Sequence, residues 1–590
     1  MLNNQMYLEA FPTPFPDGPD FLAKEVPFTI RDFSAYVPGG AEKWRLQYYQ
    51  LLDGTEGQML AAEFRTESLA EIPPEVCVPV SLEGWYQIFF GVPVPERKPY
   101  LGGGGYGIDV AFGDSSFMHI FPEYGSRYGR YLVERDCEYF VYYRTMYLNG
   151  SILRLRVPYD TYSSGCYGLV RAALSSVRFV KSNPPPEIKD CEKAKVRRGI
   201  MTVDGFSHYW AGARPGNDID NRIAEYCTGS DIGIIMQQTP CTGITPYRSR
   251  LTSYIGQGLS EEDLNGKRTG DIRIIEYIKW AIENEQESYR VMPERCRQAG
   301  IEFHASIRAN LFFDNGSNYM SGPEKFLNGD FWAAHPELRI KRRDGSLSAQ
   351  LDYAKPEARA FITGLFEEIL TEFNGIDGIN LDATRWPPIM DVENHDFNVF
   401  LTFVRELREM TDRIGAEQNR KIKFSVSLVD GYHAHMSLKD QKIDYDGLVR
   451  SKLLDFVCVQ AFDMKPYVES GGEFGLPVYA ISDAEVPYRN EHSMTDNPTF
   501  KTPDGNTVDD PAAGEEFMEQ PPIGSYPTPQ ELDMVFLMKY KAGAAGVYLC
   551  NLFLGDPHLR RLGHVDELAL FAKNNEFYGQ TRGQHIIVFK

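Results

Sequence analysis

Site chemistry needs groups that hold ligand atoms or move protons, gathered in one place. In this chain the clearest gathering is a set of polar residues at the ends of short apolar runs. Asp382 is the strongest of them. It closes the apolar part of GIDGINLDATR (375–385), follows Gly378, and precedes Arg385, Trp386 and Pro387. A carboxylate at a strand end, beside a guanidinium and an indole, offers acceptors for hydroxyls and a flat face for the C–H groups of a ring. The competing reading is a structural Asp paired with Arg385.

Side chains alternate along a strand, so polar residues of one parity share a face. Ile379 and Leu381 take the outer face of this run, which turns Asn380 and Asp382 inward. In IEFHASIR (301–308) the same argument turns His304, Ser306 and Arg308 inward. Thr202 and Asp204 share the inner parity of GIMTVDG (199–205). Gln237 closes DIGIIMQQ (231–238), and Gln460 stands near the end of LDFVCVQAF (454–462). Asp204 with His208, Tyr209 and Trp210 resembles a substrate rim; a solvated loop around a packed Trp explains it as well. Arg308 suits planar, bidentate partners, and His304 either binds hydroxyls or is a satisfied core histidine. His433 and His435 form an isolated HxH, with no third ligand at a defining spacing, so no metal is expected. No cofactor is expected either: the glycine run GGGG at 102–105 does not follow a first parallel strand.

These residues need elements to position them. Eight apolar runs, the five above plus KIKFSVSLV (421–429), PVYAIS (477–482) and AGVYLCN (545–551), alternate with helical patterns near 271–299, 356–373, 395–415, 444–453 and 528–543. That rhythm predicts an α/β (β/α)8 TIM barrel over 196–575, with a doubly wound sheet as runner-up. Polar groups at strand ends then lie at the barrel mouth, where ligands bind. Residues 25–182 carry short β-rich runs separated by turn residues, which predict an antiparallel β-sandwich. SNPPPEIKD places a linker at 183–195, while 1–24 reads as an N-terminal extension and 576–590 as a C-terminal tail. Two long connections, 239–270 and 484–527, follow the second and seventh strands. The second is either a lid or a homo-oligomer contact.

Composition narrows the partners. Of 590 residues, 61 are basic and 82 acidic, a net charge of −21. Such a surface repels phosphate backbones and anionic lipid, so neither nucleic acid nor membrane is an expected partner. No apolar run reaches the ~20 residues of a membrane helix. Nine scattered cysteines without a CxxC pair, and a first segment without a basic region or apolar core, point to a cytoplasmic protein.

The segment HPELRIKRRDGSLSAQLDYAKPEARAFITGLFEEILTEFNGIDGINLDATRWPP (335–388) resembles the glycosyl-hydrolase-like (β/α)8 barrel family found in bacteria, which carries an N-terminal β-sandwich module. That family pairs "HPEW…DG…LDYANPEVR" with a strand "DGIxxDxxRxP". The matching residues are His335, Pro336, Glu337, Asp344, Gly345, Leu351, Asp352, Pro356, Glu357, Arg359, Asp377, Gly378, Asp382, Arg385 and Pro387. Asp455 and Gln460 match a later "DfvxxQxY" strand. Leu338 replaces the usual Trp, and Ala461-Phe462 stand where the Tyr is expected.

The resemblance implies hydrolysis of a glycosidic bond in an oligosaccharide or glycoside, which requires two carboxyl groups flanking that bond. Asp382 takes the nucleophile or base role. Asp463, three residues after Gln460, is the favoured partner over Asp483, with Asp430 and Glu485 as alternatives. Asp204, His208, Trp210, Gln237, His304, Arg308, Asn380, Arg385, Trp386 and Gln460 are the expected carbohydrate contacts. The competing functions are carbohydrate binding without cleavage, and another barrel chemistry: a lyase, an isomerase or a metal-dependent hydrolase.

Overall fold

The computed structural model describes residues 27–37, 43–51, 53–65, 73–94, 107–115, 117–120, 137–157, 169–183, 197–206, 209, 227, 230–264, 269–314, 325–393, 396–431, 436–461, 463–482, 499–501, 507–508, 515–517, 529–550, 562–565, 568 and 582–589. The glycine run 102–105, the HxH pair, His208, Trp210, Asp483 and Glu485 lie outside these residues.

The first part is a ten-stranded antiparallel sheet folded over one core. Two long strands dominate it, Val76–Val94 and Cys137–Arg156, paired along their length. Two register shifts, after Val80 and after Ile88, bend the pair. Val76, Val78 and Val80 and then Ile88, Phe90 and Val92 share one parity and turn inward, while across the shifts the inward parity of the partner strand changes from Val141 and Tyr143 to Leu148 and back to Leu153 and Leu155. The first of these sets faces Leu153 and Leu155 within the core, where each fully buried aliphatic or aromatic side chain contributes about 1.5–3 kcal/mol. Residues 576–590, read from sequence as a tail, contain a strand instead. Arg582–Phe589 inserts between Arg45–Leu51 and Cys137–Arg156, so the end of the chain returns to the sheet that its beginning forms.

The second part is a closed barrel of eight parallel strands. They are Gly199–Val203, Ile232–Gln238, Glu302–Arg308, Gly378–Asp382, Lys423–Val429, Phe456–Gln460, Val478–Ser482 and Gly546–Cys550. Each falls within one of the eight predicted runs. The helices Thr269–Glu283, Ser288–Gln298, Pro356–Glu372, Asn398–Glu417, Tyr445–Arg450 and Pro529–Lys541 cover the predicted helical patterns. Lys325–Ala334, Lys465–Phe474 and the hairpin Arg339–Lys341 with Leu347–Leu351 were not predicted.

Strand parity separates two cores. Phe303, Ala305, Ile307, Ile379, Leu381, Val457 and Val459 face outward and pack with helix residues such as Phe366 and Phe403. Ile200, Ile234, Met236, Phe456, Cys458, Ile481 and Tyr548 fill the barrel interior. The connection after the second strand is packed as well, with Cys241, Ile244, Tyr247 and Ile255 buried. Among the described residues, no helix is long and apolar enough to cross a membrane.

Candidate functional site

The motif residues divide by the end of the barrel they serve. Asp377 accepts the backbone N–H of Phe303 at 2.9 Å, and Asp455 that of Phe424 at 2.9 Å. Both carboxylates precede their strands and tie neighbouring strand starts together, away from the mouth. Asp352 accepts from the N–H groups of Ala354 and Asp391. Arg359 forms a two-pronged ion pair with Glu406 at 2.8 and 3.0 Å. Tyr353, fully buried, donates to the Ala309 carbonyl and stacks on Phe403. The stretch 351–359 is therefore scaffold, anchoring the loop after the third strand.

Asp382 is different. It ends the fourth strand, faces inward and is 2% exposed. Oδ2 accepts from Gln238 Nε2 at 2.6 Å and lies 3.8 Å from Arg308 Nε. Oδ1 accepts from the N–H and hydroxyl of Thr384 at 2.9 and 2.6 Å. Three hydrogen bonds thus hold both carboxylate oxygens and fix the rotamer. Arg308 stands directly opposite it in the strand register. Arg385 and Trp386 are exposed on the loop that follows. Trp386 meets Phe313 edge-on at 4.9 Å, leaving 38% of its surface to solvent.

One layer below, Asn380 is fully committed within the barrel. Its oxygen accepts from Ser306 at 3.0 Å, and its amide donates to Ser425 at 3.0 Å and Ser427 at 3.1 Å. It forms a buried polar layer beneath the mouth. Burial, opposed by a hydrogen bond with Ser427 and reinforced by the Asp382 charge, pushes the nearby Cys458 thiol well above its ordinary value. That thiol is a neutral packing group.

Several expected positions are not at the mouth. His304 pairs with Met236 and with Gly378, the first residue of the fourth strand. Its Nε2 meets Glu302 at 3.2 Å and its ring lies 5.9 Å from that of Phe456. It is buried near the entry end, filling the space that glycine leaves at 378. Alternation gives its inward parity but not its height along the strand. Gln237 is in register with Val203 and Ala305, both on the helix-facing side. The inward residue is its neighbour Gln238. The run DIGIIMQQ is apolar on both faces, so alternation alone could not choose between the two glutamines. Thr384 was also missed, although Asp-x-Thr is a recognisable side-chain turn.

The expected second carboxyl fares poorly. Asp463 is exposed, and its Oδ1 accepts the Lys465 N–H at the start of a helix. Near it, burial pushes the Lys539 ammonium down to about 8 despite the Asp463 charge, and Nζ donates to the Ala461 carbonyl at 2.9 Å. Asp430 accepts from the Leu438 N–H at 2.7 Å and from the Tyr467 hydroxyl, so it organises its own loop. Asp204 is 6% exposed, has inner parity, and accepts the Phe206 N–H at 2.9 Å. Gln460 is inward and 5% exposed at the end of the sixth strand. Among the described residues, no group of three or more His, Cys, Asp or Glu could hold a metal.

Fold and mouth together define a (β/α)8 barrel with a β-sandwich module and a carboxylate-centred polar mouth. That is the architecture implied by the resemblance at 335–388. No family model and no curated protein matches the chain. Among solved structures, it is similar to a glycoside hydrolase family 18 N-acetylglucosaminidase from Paenibacillus barengoltzii. The identity is 12%, over 58% of this chain and 95% of that one, with a TM-score of 0.30. Chitinase ChiW from Paenibacillus sp. str. FPU-7 shows 11% identity over 85% of this chain and 54% of its own, with a TM-score of 0.34. A family GH18 chitinase from Cycas revoluta shows 10% identity over 64% of this chain and 100% of its own, with a TM-score of 0.31. The barrel itself is defined by its own strand pairing.

Proposed function

We propose that the chain is a glycoside hydrolase whose barrel mouth holds a sugar against Asp382. The observation that carries this reading is the Asp382 carboxylate, inward, nearly buried, and held at both oxygens by Gln238 and Thr384 beside the Arg308 guanidinium. A carboxylate fixed in this way reaches an anomeric carbon, or a water next to it, without reorganising during the reaction. Trp386, exposed on the adjoining loop, supplies a flat apolar face.

Glycoside cleavage needs a second carboxyl to protonate the leaving oxygen. Asp204 fits that role better than Asp463. It directly follows the first strand, has inner parity and is largely withdrawn from water, whereas Asp463 is exposed and caps a helix. Glu485, after the seventh strand, remains an alternative. The separation between Asp382 and its partner sets the outcome: about 5–5.5 Å for retention and about 6.5–9.5 Å for inversion.

Cys77, Cys227, Cys241 and Cys458 carry free thiols, three of them buried. That supports a reducing, cytoplasmic setting. The test is turnover of a panel of nitrophenyl glycosides by the full chain and by Asp382→Asn. Cleavage of at least one glycoside, lost in the variant, supports the reading. A panel left intact, or a variant as active as the parent, overturns it. Sugar binding without cleavage is the second reading, favoured by Asp463 being exposed and engaged at a helix start. Saturable binding of a sugar whose glycosides stay intact would establish it.

A further inference from the structure

Withdrawing a guanidinium from water without giving it an acceptor is costly. The Nε–H of Arg308 is such a donor. Arg308 ends the third strand with its side chain only 7% exposed. Its Nε has no hydrogen-bond partner among the described residues. The anion beside it is Asp382, but 3.8 Å between Nε and Oδ2 is beyond hydrogen-bond length. The same Oδ2 takes the amide proton of Gln238. That bond sets the direction of the Gln238 amide, because the flipped amide would aim its oxygen at the carboxylate. Gln238 Oε1 is therefore turned away from Asp382, and it too is buried without a partner. Thr239 Oγ1, next along the chain, and Thr202 Oγ1, in the first strand, are in the same condition.

The surroundings of Asp382 thus hold an unsatisfied donor and an unsatisfied acceptor on two groups that flank one carboxylate oxygen. Buried polar atoms in folded proteins are rarely left so. The chemistry of the missing partner follows from the set. A carboxylate only accepts: it would serve Arg308, face Gln238 Oε1 with another acceptor, and crowd Asp382 with like charge. An ammonium only donates, and it would meet the guanidinium. A hydroxyl does both. Water does both as well, so a hydroxyl that takes its place loses no hydrogen bond.

We infer that Arg308 and Gln238 are specificity residues that read a hydroxyl of a neutral sugar and reject its acidic counterpart. The hydroxyl accepts from Arg308 and donates to Gln238 Oε1. The inference rests on the proposed hydrolase only in placing a sugar at the mouth.

The test is calorimetric titration of the full chain with neutral sugars (glucose, galactose, mannose, xylose and N-acetylglucosamine) and with glucuronate and galacturonate. At least one neutral hexose is expected to bind, with its uronate about tenfold weaker or worse. Arg308→Met and Gln238→Leu are each expected to weaken the neutral sugar by about tenfold or more. Arg308→Lys keeps the charge without the planar fork and is expected to restore only part of the loss. The comparison of hexose with uronate needs no variant, so a misfolded variant does not decide it. A uronate bound more tightly than its neutral counterpart overturns the inference. So does unchanged binding in both variants, or the absence of binding by every neutral sugar, which leaves water alone at the mouth. Cleavage of uronides in preference to neutral glycosides would sink this inference and leave the hydrolase standing. Neutral binding that depends on Arg308, without cleavage of any glycoside, would do the reverse.

Discussion

Gln238 and Asp382 are 144 positions apart in sequence and stand on the second and fourth barrel strands, yet Gln238 Nε2 donates to Asp382 Oδ2 at 2.6 Å. The bond reaches across the inner face of the third strand, beside Arg308, and couples the orientation of the carboxylate to barrel closure. A hydrogen bond to a charged group contributes about 1.5–3 kcal/mol. Gln238→Leu should therefore lower kcat/KM by about 10–100-fold on any glycoside the parent cleaves. Asp382→Asn should lower it by about 10²–10⁴-fold. Steady-state kinetics on the purified full chain decides; an unimpaired Asp382→Asn enzyme removes Asp382 from the chemistry.

Asp204 and Asp463 are separated by their environments. Asp204→Asn should slow glycosides with poor leaving groups by about 10²–10⁴-fold and nitrophenyl glycosides far less, since a good leaving group needs little protonation. Asp463→Asn should leave kcat/KM unchanged. The opposite pattern would return the acid role to Asp463.

Gly378 and His304 share one space. A Cβ at 378 would lie 2.6–2.9 Å from the His304 ring atoms. Gly378→Ala should cost about 1–3 kcal/mol through overpacking. Replacing His304 by Ala in the same background should recover part of the loss, because the two changes occupy one volume. Urea denaturation of the two single variants and the double variant measures the coupling, and strict additivity would refute the packing relationship.

Acid stability should depend on Glu302. Its carboxyl is pulled from 4.5 down to about 2, first by the hydrogen bond with His304 and then by Lys423, against desolvation. Between those values the unfolded chain binds more protons than the folded one. The stabilisation is therefore present above about pH 4.5 and is lost as the pH falls towards about 2. Glu302→Gln should flatten the fall of Tm across that window and leave its slope near neutrality unchanged. Parallel Tm profiles for parent and variant would contradict this.

Much of this protein was legible in its sequence. Eight apolar runs alternating with helical patterns placed every barrel strand, because a parallel strand buried on both faces needs an unbroken apolar stretch. Parity turned Asp204, Arg308, Asn380, Asp382 and Gln460 inward, since alternation is a local property of an extended chain. Local pattern cannot give height along a strand or partners across the barrel. His304 obeys the same parity as Arg308 but sits near the opposite end of the barrel, beside a glycine 74 positions away in the chain. Gln238 could not be told from Gln237 until register set it against Ser306. Asp463 follows the correct strand, yet only the turn into the next helix decided that its side chain caps a backbone N–H. The strand Arg582–Phe589 is defined by neighbours some 440 and 540 residues earlier, a pairing that no local pattern encodes. Where one face of a strand carries polar residues, sequence determined which of them face the barrel axis. Tertiary structure decided which of them meet, because closing the barrel fixes the stagger between strands, and that stagger sets which side chains share a layer.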